Sequence, residues 1–138
     1  MSDPVALYMQ LLHAMRSPDN SIAVQHFAPD FVAYEDPGMP YGGVVRGGAN
    51  FLRLRGKVYD AWGSGCLKLQ YVTGDPEGGH AAAHFNLVGK PNGATETVEG
   101  NVVVVWAFRD DLATEARVYY FDTPRLAKAL ADSGYQYA

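Results

Sequence analysis

Asn101-Val102-Val103-Val104-Val105-Trp106-Ala107-Phe108 is the stretch on which the fold of this chain turns. Its β-branched and aromatic residues favour a strand, and its length is that of a strand rather than a membrane span. Side chains along a strand alternate between faces, so Val102, Val104 and Trp106 point to one side and Val103 and Val105 to the other. Both faces are therefore apolar, and a sheet built around this strand must be covered twice. Helices of the same chain supply one cover. The simplest second cover is another copy of the chain, so the sequence predicts a homodimer formed through the sheet face away from the helices.

Working outward, Gly/Asp/Pro/Asn turns separate this strand, which spans Glu96–Phe108, from neighbours near Leu67–Thr73, His80–Val88 and Thr114–Phe121. Short turns make these four strands antiparallel. Upstream, Val5, Tyr8, Leu11, Leu12 and Met15 recur at helical spacing, with Ser2 or Asp3 as N-cap and Pro4 in the first turn. Ser17-Pro18-Asp19-Asn20 breaks that helix, and a second short one runs through Ile22, Ala23, His26 and Phe27 before Pro29. Phe31–Asp36 reads as a strand stopped by Pro37-Gly38. A Gly/Pro loop follows, then a third helix carrying Phe51, Leu52, Leu54, Val58, Tyr59 and Trp62. A last helix, Arg125 to Asp132, lies between Thr123-Pro124 and Gly134. Helices first and an antiparallel meander after them predict an α+β domain, with helices packed on one face of a strongly curved sheet.

At 138 residues and 48% hydrophobic, the chain is expected to form one domain spanning 1–138, with a core that needs no disulfide or structural metal. Cys66 is the only cysteine, which excludes an intramolecular disulfide and points to a reducing cytoplasm. A net charge of −4 and the lack of any Lys/Arg cluster argue against nucleic acid. Asp3 stands where an export signal would carry positive charge, and no run of eighteen apolar residues occurs, so a soluble protein is expected. No phosphate-loop or dinucleotide pattern follows Gly42-Gly43 or Gly47-Gly48, so no cofactor is expected. His80 and His84 share a strand face about 13 Å apart, too far to hold one metal ion.

The order helix–helix–strand–helix–four strands resembles the cone-shaped fold of the nuclear transport factor 2-like (cystatin-like) superfamily, which holds ketosteroid isomerases and SnoaL-like cyclases. Phe27-Ala28-Pro29-Asp30, a strand and then Glu35-Asp36-Pro37 are similar to the ketosteroid isomerase pattern in which the Asp of an E-D-P triplet is the base. Val118-Tyr119-Tyr120-Phe121-Asp122, followed by Thr123 and a short helix, resembles the end of SnoaL-like chains, where an Asp serves as base.

The resemblance implies an apolar pocket between helices and sheet and nominates Asp36 as its base. The residue type also fits an Asx turn capping Pro37-Gly38. His84 is the candidate partner acid/base, or a structural histidine. Tyr8 stands roughly where the isomerases carry an oxyanion-hole tyrosine, although core packing at helical spacing explains it equally well. The isomerases' second donor, a protonated Asp, would fall near Val104 and is missing. Asp122 is the alternative base, with a competing role as cap of the last helix. Tyr34, Met39, Tyr41, Trp62 and Tyr120 are the candidate ligand-binding residues, with the loop Pro37–Gly43 at the pocket mouth and Met39 or Tyr41 over the ligand. Phe85, Tyr119 and Phe121 divide between pocket wall and subunit contact.

The resulting expectation is a cofactor-free isomerase, dehydratase or cyclase for an apolar oxygenated molecule such as a steroid, terpenoid or polyketide. A non-catalytic binding or dimerisation module of the same fold is the alternative. A limonene-type epoxide hydrolase is third, because its Asp-Arg-Asp set would need Arg109 and Asp111 in the pocket, and both fall in a predicted turn.

Overall fold

A computed structural model describes residues 2–91 and 94–135. Its elements are α1 (Pro4–Met15), α2 (Asn20–Val24), β1 (Phe27–Glu35), β2 (Gly43–Arg46) and α3 (Gly48–Trp62), then β3 (Leu67–Asp75), β4 (His80–Gly89), β5 (Val98–Arg109), β6 (Leu112–Tyr120) and α4 (Thr123–Asp132). The six strands form one curved open sheet in the order β2-β1-β6-β5-β4-β3. Within it β3 to β6 are the expected antiparallel meander.

Local chemistry explains the boundaries. Asp3 caps α1, its carboxylate accepting from the Ala6 N–H at 3.2 Å. Asp110 and Asp111, both at positive φ, make the two-residue turn between β5 and β6 that suits the twist of paired strands. Gly48 opens α3 against the Phe27 ring, where a Cβ would come within 2.6 Å of the ring carbons.

Three expectations need correction. The second helix ends at Val24, and Phe27-Ala28-Pro29 already belong to β1. Pro29 has no N–H to give a ladder, and the register of β1 shifts between Phe27 and Val32. The loop expected over Pro37–Gly43 and the third helix are separated by β2, a short strand absent from the sequence-based expectation, and it pairs antiparallel with the end of β1. Finally, β1 runs parallel to β6, so the sheet is not antiparallel throughout.

The alternation of β5 sets the core. Val102, Val104 and Trp106 are buried on the inner face under the helices, while Val103 and Val105 lie half-covered on the outer face. Phe31 of β1 lies stacked with Trp106 at 6.1 Å between ring centroids and meets Phe27 edge-on at 4.7 Å. Phe51 of α3 meets Trp106 edge-on at 5.3 Å, which locks α3 onto the sheet. Leu126 and Leu130, fully buried, hold α4 over the sheet's other end. Phe31→Ala should therefore destabilise the protein by about 3–5 kcal/mol in denaturant titration. A loss below about 1 kcal/mol would show that this aromatic cluster does not hold the layers together.

Candidate active site

Between α1, α3 and the inner face of the sheet lies a cavity of about 450 Å³. The size suits a small-molecule ligand. Its floor is apolar, from Val102, Val104, Trp106, Phe85 and Val118, and the helices add Leu12, Leu54 and Val58. Polar atoms enter at few points: Tyr8 and Arg16 from α1, Arg55 and Tyr59 from α3, Ser64 from the following loop, and Glu35 and Tyr120 from the ends of β1 and β6.

Glu35 is the buried charged residue of the core, 5% exposed. Strand alternation puts it there: Phe31, Ala33 and Glu35 share the inward face of β1. Burial in the apolar wall pushes its carboxyl up to about 8. Its Oε1 accepts from the Asp36 N–H at 3.0 Å, and the Tyr120 hydroxyl beside it also favours the charged form, but neither offsets desolvation. At neutral pH the group is mostly protonated.

A chain of hydroxyls stands behind this carboxyl. The Trp62 Nε1–H donates to Tyr41 Oη at 2.9 Å, and Tyr41 Oη lies 3.0 Å from Tyr120 Oη. An indole only donates, so Tyr41 accepts there, and either phenol can supply the proton of the Tyr41–Tyr120 bond. Burial raises all of these phenols above the ordinary tyrosine value, as it does Tyr8. They remain neutral donors at any physiological pH. The indole N–H of Trp106 has no partner among the described residues.

Most of the residues nominated from sequence lie elsewhere. Asp36 sits just past β1, where its carboxylate accepts from the Gly38 N–H at 2.8 Å and from Thr123 Oγ1 at 2.5 Å. It closes the Asx turn and ties β1 to α4, and it does not line the cavity. His84 has the wrong strand parity: it faces outward, stacked on Tyr71 at 4.2 Å, while its neighbour Phe85 faces the cavity. Asp122 is exposed at a left-handed position before α4, makes no side-chain cap and pairs with Arg125 at 3.3 Å. Tyr34 is on the outer face under the Arg117 guanidinium, 4.2 Å from its ring centroid.

Met39, Tyr41 and Trp62 are buried behind the wall rather than lining it, so the loop that follows β1 packs as structure and not as a cover over the ligand. Gly42 allows this packing, since a Cβ there would meet the Asp36 carbonyl oxygen at 1.9 Å. Tyr8 and Tyr120 do line the cavity. Arg109 pairs with Asp30 at 3.0 Å on the surface, and no Asp lines the cavity among the described residues. Nor do those residues contain a group of three or more His, Cys, Asp or Glu placed to hold a metal ion.

Glu35, Arg16 and Arg55 were missed, yet each carried a signal. Arg16 continues the row Tyr8–Leu12, and Arg55 lies in the row Phe51–Arg55–Tyr59, so both interrupt apolar helix faces. Glu35 interrupts the apolar face of a strand in the same way, but the E-D-P resemblance drew attention to its neighbour.

The sequence model of the SnoaL-like domain matches residues 8–116. The chain belongs to the SnoaL-like family. No curated protein matches it in sequence. An NTF2-like protein from Burkholderia thailandensis is similar in structure, with a TM-score of 0.79 and 18% identity over 94% of this chain and 98% of the other. A protein with a cystatin-like fold from Xanthomonas campestris follows at 0.73 and 17%, over 94% and 98%. A protein with a ketosteroid isomerase-like fold from Catenulispora acidiphila, solved with trimethylamine, superposes at 0.68 and 16%, over 93% and 92%. At these identities the likeness establishes the nuclear transport factor 2-like fold of this SnoaL-like chain and nothing finer.

The raised carboxyl has a consequence for stability. From its ordinary value of 4.5 up to about 8, the folded protein keeps a proton that the unfolded chain has lost, so stability falls as pH rises through this window. Glu35→Gln, which cannot ionise, should melt higher than the wild type, by a margin that widens from pH 5 to pH 8.5. A margin independent of pH would place the Glu35 titration near that of a solvated carboxyl.

Proposed function

We propose that this SnoaL-like protein is a cofactor-free enzyme that moves a proton on a small molecule, in an isomerisation, dehydration or cyclisation, with Glu35 as its acid/base group. The observation that carries this reading is a single carboxyl, protonated at rest and facing an apolar cavity of ligand size. Glu35 gives its proton to a leaving oxygen or an enolate carbon, and the carboxylate so formed takes a proton back from the substrate. Tyr120 and the hydroxyls behind it steady that carboxylate. Tyr8, a neutral donor in the wall, polarises a substrate carbonyl.

The test begins with cyclic enones, hydroxylated polyketides and terpenoids screened for thermal stabilisation and then for turnover. Glu35→Gln should lower kcat by about 10²–10⁴-fold, whereas Asp36→Asn should leave it close to wild type. The wild-type kcat/KM should fall as pH rises through about 8, where the free enzyme loses the Glu35 proton. A large loss in Asp36→Asn with Glu35→Gln near normal would overturn the assignment.

The binding-module reading has one observation in its favour: no histidine and no second carboxylate line the cavity among the described residues. Ligands that stabilise the wild type but are converted by no form of the protein would decide for it.

The same proposal includes assembly. On the outer sheet face Val44, Tyr71 and Tyr119 are each more than half exposed, and Tyr119 pairs across the ladder with Val103. This exposed apolar face supports a homodimer. Cys66, buried and without a disulfide, fits the cytoplasm. Sedimentation at micromolar concentration should give a dimer, and Val103→Glu a monomer; a monomeric wild type would contradict the assembly.

A further inference from the structure

Two cavity residues have no part in proton transfer. Arg16 ends α1, and Arg55 lies in α3 one turn from each of Phe51 and Tyr59. The Arg55 Nη1–H donates to the Met15 carbonyl at 3.1 Å, and its guanidinium stands 5.0 Å from the Tyr59 ring centroid. These contacts hold Arg55 across the end of α1, beside Arg16. The ion pairs among the described residues use Arg109, Arg117, Arg125 and Lys128, so neither cavity arginine meets a carboxylate.

The electrostatic balance is one-sided. Glu35 is the only carboxylate in the wall among the described residues, and it is mostly neutral at pH 7. The wall then carries two positive charges and no negative one. Both guanidiniums act on the Tyr8 phenol, drawing its proton affinity down against the effect of burial, whereas the Glu35 carboxyl responds to Asp36 and Tyr120. The cavity thus has a cationic end and a proton-donating end joined by an apolar floor. The half-buried Arg55 guanidinium has a carbonyl and a ring as partners but no anion, and its planar fork of donors matches a carboxylate.

We propose that the cavity takes a small organic acid, its carboxylate held by Arg55 with Arg16 and its apolar body lying along Val102 and Val104. The reactive end faces Glu35, and that part of the assignment rests on the function proposed above. The anion site itself stands independently of whether Glu35 catalyses.

The test compares 2-naphthoate with 2-naphthamide, two probes of similar shape that differ in charge, by calorimetry at fixed ionic strength. The wild type should bind the acid at least about tenfold more tightly than the amide, a difference of about 1.4 kcal/mol. R55Q and the R16Q/R55Q pair should remove the preference and leave amide binding unchanged. Arg16 is exposed, so R16Q carries the test with a partial loss of preference should R55Q fail to fold. Equal affinities in the wild type, no binding of either probe at millimolar concentration, or a preference that survives in the double variant would overturn the anion site. An acid preference in the wild type together with undiminished turnover in E35Q would leave the anion site standing and remove Glu35 from the chemistry. The two readings therefore fail separately.

Discussion

A curved sheet whose inner face is apolar must be covered, and here the helices cover it incompletely. α3 packs Phe51 against Trp106 at one end and donates from Trp62 to Tyr41 at the other, α1 lays Tyr8 against Trp106, and the two helices leave about 450 Å³ uncovered between them. Everything particular about the site follows from placing one carboxyl in the wall of that space. A buried carboxyl without a cation stays protonated, because leaving water disfavours its charged form more than the Asp36 N–H and the Tyr120 hydroxyl restore it.

The surroundings of Glu35 are built to keep it in place. The loop after β1 brings Tyr41 under the sheet, α3 ends on Trp62 and β6 ends on Tyr120, so the chain of donors joins three parts of the fold behind one side chain. Asp36 fixes the same corner from outside by binding Gly38 and Thr123. Two adjacent acids thus divide the work by strand parity: the inward one faces the cavity, and the outward one holds the turn.

Much of this was legible in the sequence. The apolar faces of Val102–Phe108, the turns between the later strands and the spacing in Val5–Met15 and Phe51–Trp62 carry the fold, because burial and period decide those elements locally. β2 and the parallel β1–β6 pair were not legible, since a four-residue edge strand is defined by its partner rather than by its own composition. The site was harder. Asp36 and His84 were chosen by residue type and resemblance, yet a shift of one position along a strand reverses the face, and both fall on the wrong side of that shift. Period two counted from Phe31 would have selected Glu35, and the polar interruptions of the helical rows would have selected Arg16 and Arg55.

The central claim is that Glu35 is a neutral acid at physiological pH, and titration of the carboxyl itself tests it most directly. In protein labelled with carbon-13 at glutamate side-chain carboxyls, the one resonance that is absent from Glu35→Gln should titrate at about 8. If that resonance instead titrates near 4.5, the ordinary value of a glutamate carboxyl, Glu35 is solvated and charged at neutral pH, and the cavity does not hold a neutral acid in an apolar wall.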